Sequence, residues 1–295
     1  MKYKFRRYYL YYLARVGIFL FSLLPSKIGL AVAAKAGALA YYILPKYRKI
    51  ALNNLELAFG EEKGESELKR IARRVFENLG KNAFELVRFP KIDESNIGRL
   101  VRLENADRLR RAFEKGKGVL IITAHIGNWE LMAATLRLND FPGVTVGRRI
   151  YFHKYDEYLN RLRKTHDVNV IYRDESPRRI LKVLKENRIV GIVADQDVDS
   201  VDGVFVDFFG RPAYTPSGPA LLARASGAPL VPVFIIRNNG KHSLFIEEPI
   251  ELADTGDKEK DLVENTQKWS NVVESFIRQY PDQWVWMHRR WKTKK

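Results

Sequence analysis

Five short apolar runs, at residues 118–124, 144–146, 168–172, 189–194 and 229–236, are mostly β-branched and are separated by polar segments of helical length. Runs that do not alternate apolar with polar residues must be buried on both faces. Strands of that kind, spaced by helices, form a mainly parallel sheet with helices covering it, so the fold class is α/β. Asn238-Asn239-Gly240, just before the apolar alternation of 242–246, is a hairpin signal that gives the sheet an antiparallel edge strand. Thr215-Pro216 reads as a cap followed by Pro at the first helical position, opening a helix that ends near Gly227. Upstream, Ile71, Val75, Leu79, Ala83, Leu86 and Val87 keep close to a 3.6-residue period. They predict an amphipathic helix over 68–89 with Ser66 as its N-cap, preceded by a charged, linker-like stretch at 60–67.

The 295 residues include 51 Lys and Arg against 35 Asp and Glu, a net charge of +16. A hydrophobic fraction of 46% with five Trp, 14 Tyr and 16 Phe excludes disorder and provides a core for one or two domains. The absence of Cys excludes disulfides, a thiolate nucleophile and Cys-ligated zinc, which leaves five His for acid–base work. The basic excess suits a nucleic acid, an anionic membrane surface, or an acidic protein or phosphorylated substrate.

The N-terminus favours the membrane. Lys2, Lys4, Arg6 and Arg7 precede an apolar run at 8–24 broken only by Arg15, and a second run at 28–44 carries only Lys35. Each is near the lower limit of the roughly 17–25 residues that span a bilayer, so each fits a span, an interfacial helix or half of a core hairpin. Tyr3, Tyr8, Tyr9, Tyr11 and Tyr12 crowd the cationic end, as in an aromatic belt at cytoplasmic headgroups, and this favours an anchor. Arg15, Pro25 and the second apolar run argue against a cleaved signal peptide. The chain is expected to divide into a membrane-anchoring helical segment, 1–45, and an α/β domain, 46–295.

The segment 118–134 holds the most chemistry. A buried strand ends near His125, and a small-residue turn, Ile126-Gly127-Asn128, leads into a helix carrying Glu130. Five residues on an ideal helix turn through about 500°, so His125 has to precede the helix if the two side chains are to meet. The turn then brings Glu130 to one ring nitrogen and leaves the other as a general base. The bland alternative is a strand-end His whose hydrogen bonds merely satisfy the turn.

The stretch resembles the H-x4-D/E box of the glycerolipid and lipid A acyltransferase superfamily, with Ala124 and Glu130 where glycerophosphate acyltransferases usually have Asn and Asp. Their Phe-Pro-Glu-Gly-Thr box is missing. In its place come Ala194-Asp195-Gln196-Asp197, the stretch 203–215, and Leu222-Ala223-Arg224-Ala225-Ser226-Gly227-Ala228-Pro229. That order resembles the late acyltransferases of lipid A biosynthesis, the lauroyl and myristoyl transferase family. Asn54-Leu55, Gln283-Trp284-Val285-Trp286 and Arg289-Arg290-Trp291 are similar to that family's flanking signatures.

The resemblance implies acyl transfer from an acyl thioester, with acyl carrier protein favoured over coenzyme A, to a hydroxyl of a lipid A precursor at the cytoplasmic face of the bacterial inner membrane. Another glycolipid or a lysophospholipid is the alternative acceptor, and a non-enzymatic lipid-binding or nucleic-acid-binding protein of this fold is the rival of a different class. His125 would act as general base, with Glu130 stabilising the imidazolium, and N–H groups after Gly127, around Asn128, would hold the oxyanion. Neither a covalent acyl-enzyme nor any metal or cofactor is required. Arg148, past a strand end, matches the family's Arg and suits a phosphate on the lipid or on phosphopantetheine; Arg149 serves equally well as a solvated strand end. Asp195, closing the next strand, would face the same crevice and orient Arg148 or His125, or else cap a turn.

The acidic run Asp195, Asp197, Asp199, Asp202 and Asp207 is not an EF-hand, since Ser200 and Val206 stand where the loop needs Gly and Glu. His153, His166, His242 and His288 lack ligand spacing. Trp284, Trp286 and Trp291, interleaved with cations, suit a membrane interface or a docked acidic carrier better than nucleic acid, for which no motif is present.

Overall fold

The computed structural model describes residues 5–175, 177–198 and 200–295. Lys2, Tyr3, Lys4 and Asp199 therefore lie outside the described residues. Four helices come first: α1 (Phe5–Ser22), α2 (Ser26–Ile43), α3 (Pro45–Phe59) and α4 (Glu65–Val87). A short α5 (Ile97–Leu100) leads into β1 (Val101–Glu104) and α6 (Ala106–Glu114). Strand and helix then alternate through β2 (Val119–Thr123), α7 (Trp129–Arg137), β3 (Gly143–Gly147), α8 (His153–Lys164), β4 (Asn169–Tyr172), α9 (Pro177–Lys185) and β5 (Ile189–Val193). A β6–β7 ribbon (Gly203–Phe208, Arg211–Pro216), α10 (Gly218–Ser226), the hairpin β8–β9 (Leu230–Asn238, Lys241–Ile246) and α11 (Lys258–Gln279) complete the chain.

The seven-stranded sheet has the order β1-β9-β8-β2-β5-β3-β4, and β8, β2, β5, β3 and β4 run parallel. Leu120 and Ile122 of β2 enter one core with Phe234 and Ile236, while Val119 and Ile121 enter a second core with Val233 and Ile235. Burial of alternate residues in opposite cores is why these strands read as unbroken apolar runs. Asn239 and Gly240, both with positive φ, make the two-residue turn between β8 and β9.

Several expectations need correction. The hairpin strand β9 does run antiparallel to β8, but β1 pairs with it in parallel, so the antiparallel edge of the sheet has two strands and β1 is the outermost. Thr215 and Pro216 end β7; α10 starts after Ser217, with Pro219 in its first turn, and closes at Gly227 in the left-handed conformation. Gly64, not Ser66, stands at the N-cap of α4, without a side-chain cap.

The N-terminal runs fold as α1 and α2 against α4. Gly29, Ala33 and Gly37 of α2 face Phe84, Gly80 and Phe76 of α4, and a Cβ at Gly37 would lie 2.2 Å from the Phe76 carbonyl oxygen. Among the described residues no single helix is long and apolar enough to cross a membrane. Only α2 and α3 together reach that length and hydropathy, and they are bent by 91°. The outer faces of α1 and α2 expose Tyr9, Leu13, Val16, Leu20, Ile28, Val32, Leu39 and Ile43, each 44–64% exposed.

Candidate active site

β2 and β5 are paired so that Thr123 stands opposite Val193. Continuing that register by two residues sets His125 opposite Asp195, at the carboxyl edge where open α/β sheets place their ligands. The His125 N–H donates to Asp195 Oδ2 at 2.9 Å, and its carbonyl accepts from Val285 N–H at 3.0 Å. Its Nδ1–H donates to Asp195 Oδ1 at 2.7 Å. The imidazole is 25% exposed and the Asp195 side chain is wholly buried. Trp284 Nε1–H adds a second donor to Oδ2 at 2.6 Å, so the carboxylate cannot turn. With the proton held on Nδ1, the lone pair lies on Nε2.

Burial lowers the His125 pKa, but the charge and hydrogen bond of Asp195, helped by the charge of Glu130, outweigh it and leave the pKa above its ordinary 6.5. Burial acts to raise Asp195, yet the His125 charge and bonds hold it well below the usual carboxylate range.

The ring nitrogen expected to receive Glu130 is thus occupied by Asp195. Glu130 opens α7 and is clamped by Arg163 of α8, through Nε–H to Oε2 at 2.8 Å and Nη2–H to Oε1 at 2.5 Å. The pair is mostly buried, with side-chain exposures of 17% and 15%. A planar guanidinium satisfies both carboxylate oxygens at once, which an imidazole edge cannot do. Glu130 therefore reaches His125 through its charge and not through a hydrogen bond.

The Gly127 N–H and the Asn128 side chain are both committed to the fold. Gly127 has φ +58°, and any Cβ there would lie 1.7 Å from the Ile235 carbonyl oxygen. Its N–H is taken by the Gln283 carbonyl at 3.1 Å. Asn128 is buried; its Oδ1 accepts from Leu131 N–H, capping α7, and its Nδ2–H donates to Glu85 Oε2 at 2.7 Å. The backbone N–H groups of Asn128, Trp129 and Glu130 have no acceptor among the described residues and remain available at the start of α7.

Below this turn lies a polar cluster that the sequence does not reveal. Glu85 of α4 binds Arg237, Asn128 and His242, while Asn82 accepts from Arg237 and donates to the Gly127 carbonyl at 2.5 Å. Burial works to raise the Glu85 pKa, but the bonds from Arg237 and His242 bring it down to about 2. The cluster ties the turn that carries the site to α4.

Arg148 stands exposed at the end of β3, next to β5 in the sheet, and makes no hydrogen bond or ion pair among the described residues. Arg149 is engaged with Asp174 and Glu175, its guanidinium 3.8 Å from the Tyr172 ring centroid. Asp197 turns away from Asp195 and accepts from Thr293 N–H and Oγ1–H.

The C-terminal tryptophans, expected at an interface, are core residues. Trp284 and Trp286 are fully buried, their rings 4.5 Å apart, and Trp291 packs against Phe208. Arg290, though flanked by cations in sequence, is buried and donates to the Tyr214 carbonyl at 2.6 Å. Asn54 Nδ2–H donates to the carbonyls of Trp286 and His288, which joins the early signature to the late one. Burial pushes the His288 pKa down to about 4.

An imidazole lone pair braced by a buried carboxylate, set beside open helix N–H donors, is the equipment of general-base acyl-transfer chemistry. Sequence comparison narrows that class. A family model described as bacterial lipid A biosynthesis acyltransferase matches residues 1–293, and the chain belongs to that family. It is an acyltransferase. It is 30% identical over 292 residues to the lipid A biosynthesis lauroyltransferase of Escherichia coli strain K12, covering 98% of this chain and 93% of that one. It is 26% identical to the palmitoleoyltransferase of the same strain, covering 98% and 92%. It is also 27% identical to a phosphatidylinositol mannoside acyltransferase of Mycolicibacterium smegmatis, covering 70% and 67%.

Proposed function

We propose that this enzyme transfers a fatty acyl chain from an acyl thioester, carried by acyl carrier protein in preference to coenzyme A, to a hydroxyl of a lipid A precursor. The observation that carries this reading is the His125–Asp195 pair, seated at a sheet edge in a chain matched along its length by lipid A acyltransferases. His125 Nε2 takes the proton of the acceptor hydroxyl as its oxygen attacks the thioester carbonyl. The Asn128, Trp129 and Glu130 N–H groups hold the resulting oxyanion. Collapse of the tetrahedral intermediate breaks the C–S bond, and the departing thiolate takes the proton back from the imidazolium, whose charge Asp195 and Glu130 stabilise. The acyl group passes directly from sulfur to oxygen, without a covalent acyl-enzyme.

The reaction belongs, on this reading, at the cytoplasmic face of the inner membrane. Residues 1–45 act as the anchoring segment and 46–295 as the catalytic domain, with the anchor packed on α4. The exposed apolar faces of α1 and α2 support interfacial insertion. Ile150 and Tyr151 are exposed shortly after Arg148, and contacts of Tyr151 with Arg7 and of Phe152 with Tyr8 and Tyr11 set this segment beside α1. The resemblance to the phosphatidylinositol mannoside enzyme favours another glycolipid as the second acceptor class.

Mass spectrometry of acceptors incubated with purified enzyme and acyl carrier protein loaded with mixed chain lengths tests the proposal. A lipid A precursor is expected to gain one acyl chain. Acylation of only a different glycolipid would replace the acceptor assignment, and no acylation of any lipid would end it.

Arg148 is assigned to a substrate phosphate because it is exposed and unpaired among the described residues beside the same edge. Arg148→Lys keeps the charge but loses the two-pronged donor, so it should still lose activity, and Arg148→Ala should lose more. Measured with phosphorylated and dephosphorylated acceptors, the Arg148→Ala loss is expected to be about tenfold or more larger with the phosphate present, the range of a charge-assisted bond. Equal losses with both acceptors would move Arg148 to the donor's phosphopantetheine.

A further inference from the structure

We infer that a basic cleft of about 650 Å³ between the end of α2 and the first turns of α4 binds the phosphate headgroup of an anionic phospholipid, well away from the catalytic crevice. This rests on the reading that the outer faces of α1 and α2 lie in the membrane interface. Lys69, Arg70, Arg73 and Arg74 line the cleft with Tyr41 and Tyr42, and Glu77 is its one carboxylate. On a helix these cations recur at i, i+1, i+4 and i+5, so they form a single stripe.

Arg73 is paired, its Nε–H donating to Glu77 at 3.0 Å, which leaves Lys69, Arg70 and Arg74 as the cations with weak or absent partners. Lys69 meets Glu65 and Arg70 meets Glu67 in exposed pairs, the latter at 3.8 Å, and such pairs contribute little. Arg74 is exposed and makes no hydrogen bond or ion pair among the described residues. The Arg48 guanidinium, 5.5 Å from the Tyr41 ring centroid, adds a fifth cation at the rim.

The apolar wall selects a lipid over an acidic protein. Tyr42 lines the cleft and is itself 58% exposed, and Ile43, Leu44 and Tyr47 continue the same surface into exposed apolar side chains. A cation cluster whose rim passes directly into apolar and tyrosine side chains matches the depth at which lipid phosphates meet acyl chains. In the bent pair, α2 carries the apolar surface and α3 turns away by 91° into the core, which leaves the cleft at the level of the bend.

The full chain is floated with vesicles of phosphatidylcholine alone and of phosphatidylcholine containing one-third phosphatidylglycerol. The wild type should bind both and prefer the anionic vesicles. Arg70→Gln combined with Arg74→Gln should lose about 30-fold in partition to anionic vesicles, about fivefold for each cation near a charged surface, and nothing on neutral ones. A charge-matched control, Lys182→Gln with Lys185→Gln on exposed positions of α9, should lose less than about threefold, as expected of distant, screened charge. Retention of the anionic preference by the Arg70/Arg74 variant, or an equal loss in the control, overturns the cleft. So does unchanged vesicle binding with a raised KM for the carrier-protein donor, which would assign the cleft to that acidic protein. A wild type that binds neither vesicle overturns the interfacial reading itself, whereas binding to both without preference overturns the cleft alone.

Discussion

A His125→Ala enzyme is expected to lose about 10⁴-fold or more in acyl transfer, the upper end of what one positioned acid–base group supplies. The fold should survive, because the backbone bonds of residue 125 to Asp195 Oδ2 and Val285 do not involve the ring. Truncation does strip Asp195 Oδ1 of its donor, so thermal stability should fall. His125→Asn restores a donor at that oxygen without restoring a base; it should be as inactive as the Ala variant and melt at a higher temperature. The wild-type pH profile carries the same argument. Only the neutral imidazole accepts the hydroxyl proton, and the folded pKa is raised, so kcat/KM should climb with pH along a limb centred above 6.5. A folded His125→Asn protein retaining more than about a tenth of wild-type turnover would mean that the proton goes elsewhere.

The sequence exposes this site unevenly, for physical reasons. Strand ends are legible, because an apolar run must stop where the chain leaves the core; this is how His125, Arg148 and Asp195 can be read as residues of one edge. Which carboxylate meets the imidazole is not legible, since it depends on the pairing of β2 with β5, and strand register leaves no mark in two buried, non-alternating runs. Arg163 and Glu85 sit on amphipathic helices whose polar residues all look solvated until the tertiary neighbours are known. The C-terminal tryptophans misled for the opposite reason. Aromatic and basic residues interleaved without a period resemble an interface, yet here the cation Arg290 is buried with them, its Nη1–H and Nη2–H donating to the Tyr214 carbonyl and Thr215 Oγ1. The short strand β1 has four residues and is recruited by β9, not by its own propensity.

Asp195→Asn should cost about as much as removing the imidazole, roughly 10⁴-fold, because it is expected to reverse the tautomer of His125. The direction follows from the donors around the carboxylate. Oδ2 accepts from both His125 N–H and Trp284 Nε1–H, so an amide placed there must present its oxygen to that pair. Its NH₂ then occupies the position of Oδ1 and points a donor at His125 Nδ1. To accept it, the ring must carry its proton on Nε2, the atom that has to receive the hydroxyl proton, and the base is lost. Removing the carboxylate charge also leaves burial as the leading influence on His125, so any residual activity should show its limb shifted to lower pH. Glu130→Gln provides the contrast. It turns one of the two acceptors facing Arg163 into a donor, so the clamp keeps one hydrogen bond and thermal stability should fall. Loss of the charge acting through space on His125 should lower the rate about tenfold, the equivalent of roughly 1.4 kcal/mol of transition-state stabilisation, with a small acid shift of the same limb. If Glu130→Gln proves the more damaging change and Asp195→Asn leaves the pH limb in place, then Glu130 leaves Arg163 for the imidazole during turnover. Asp195 would in that case only buttress the strand end.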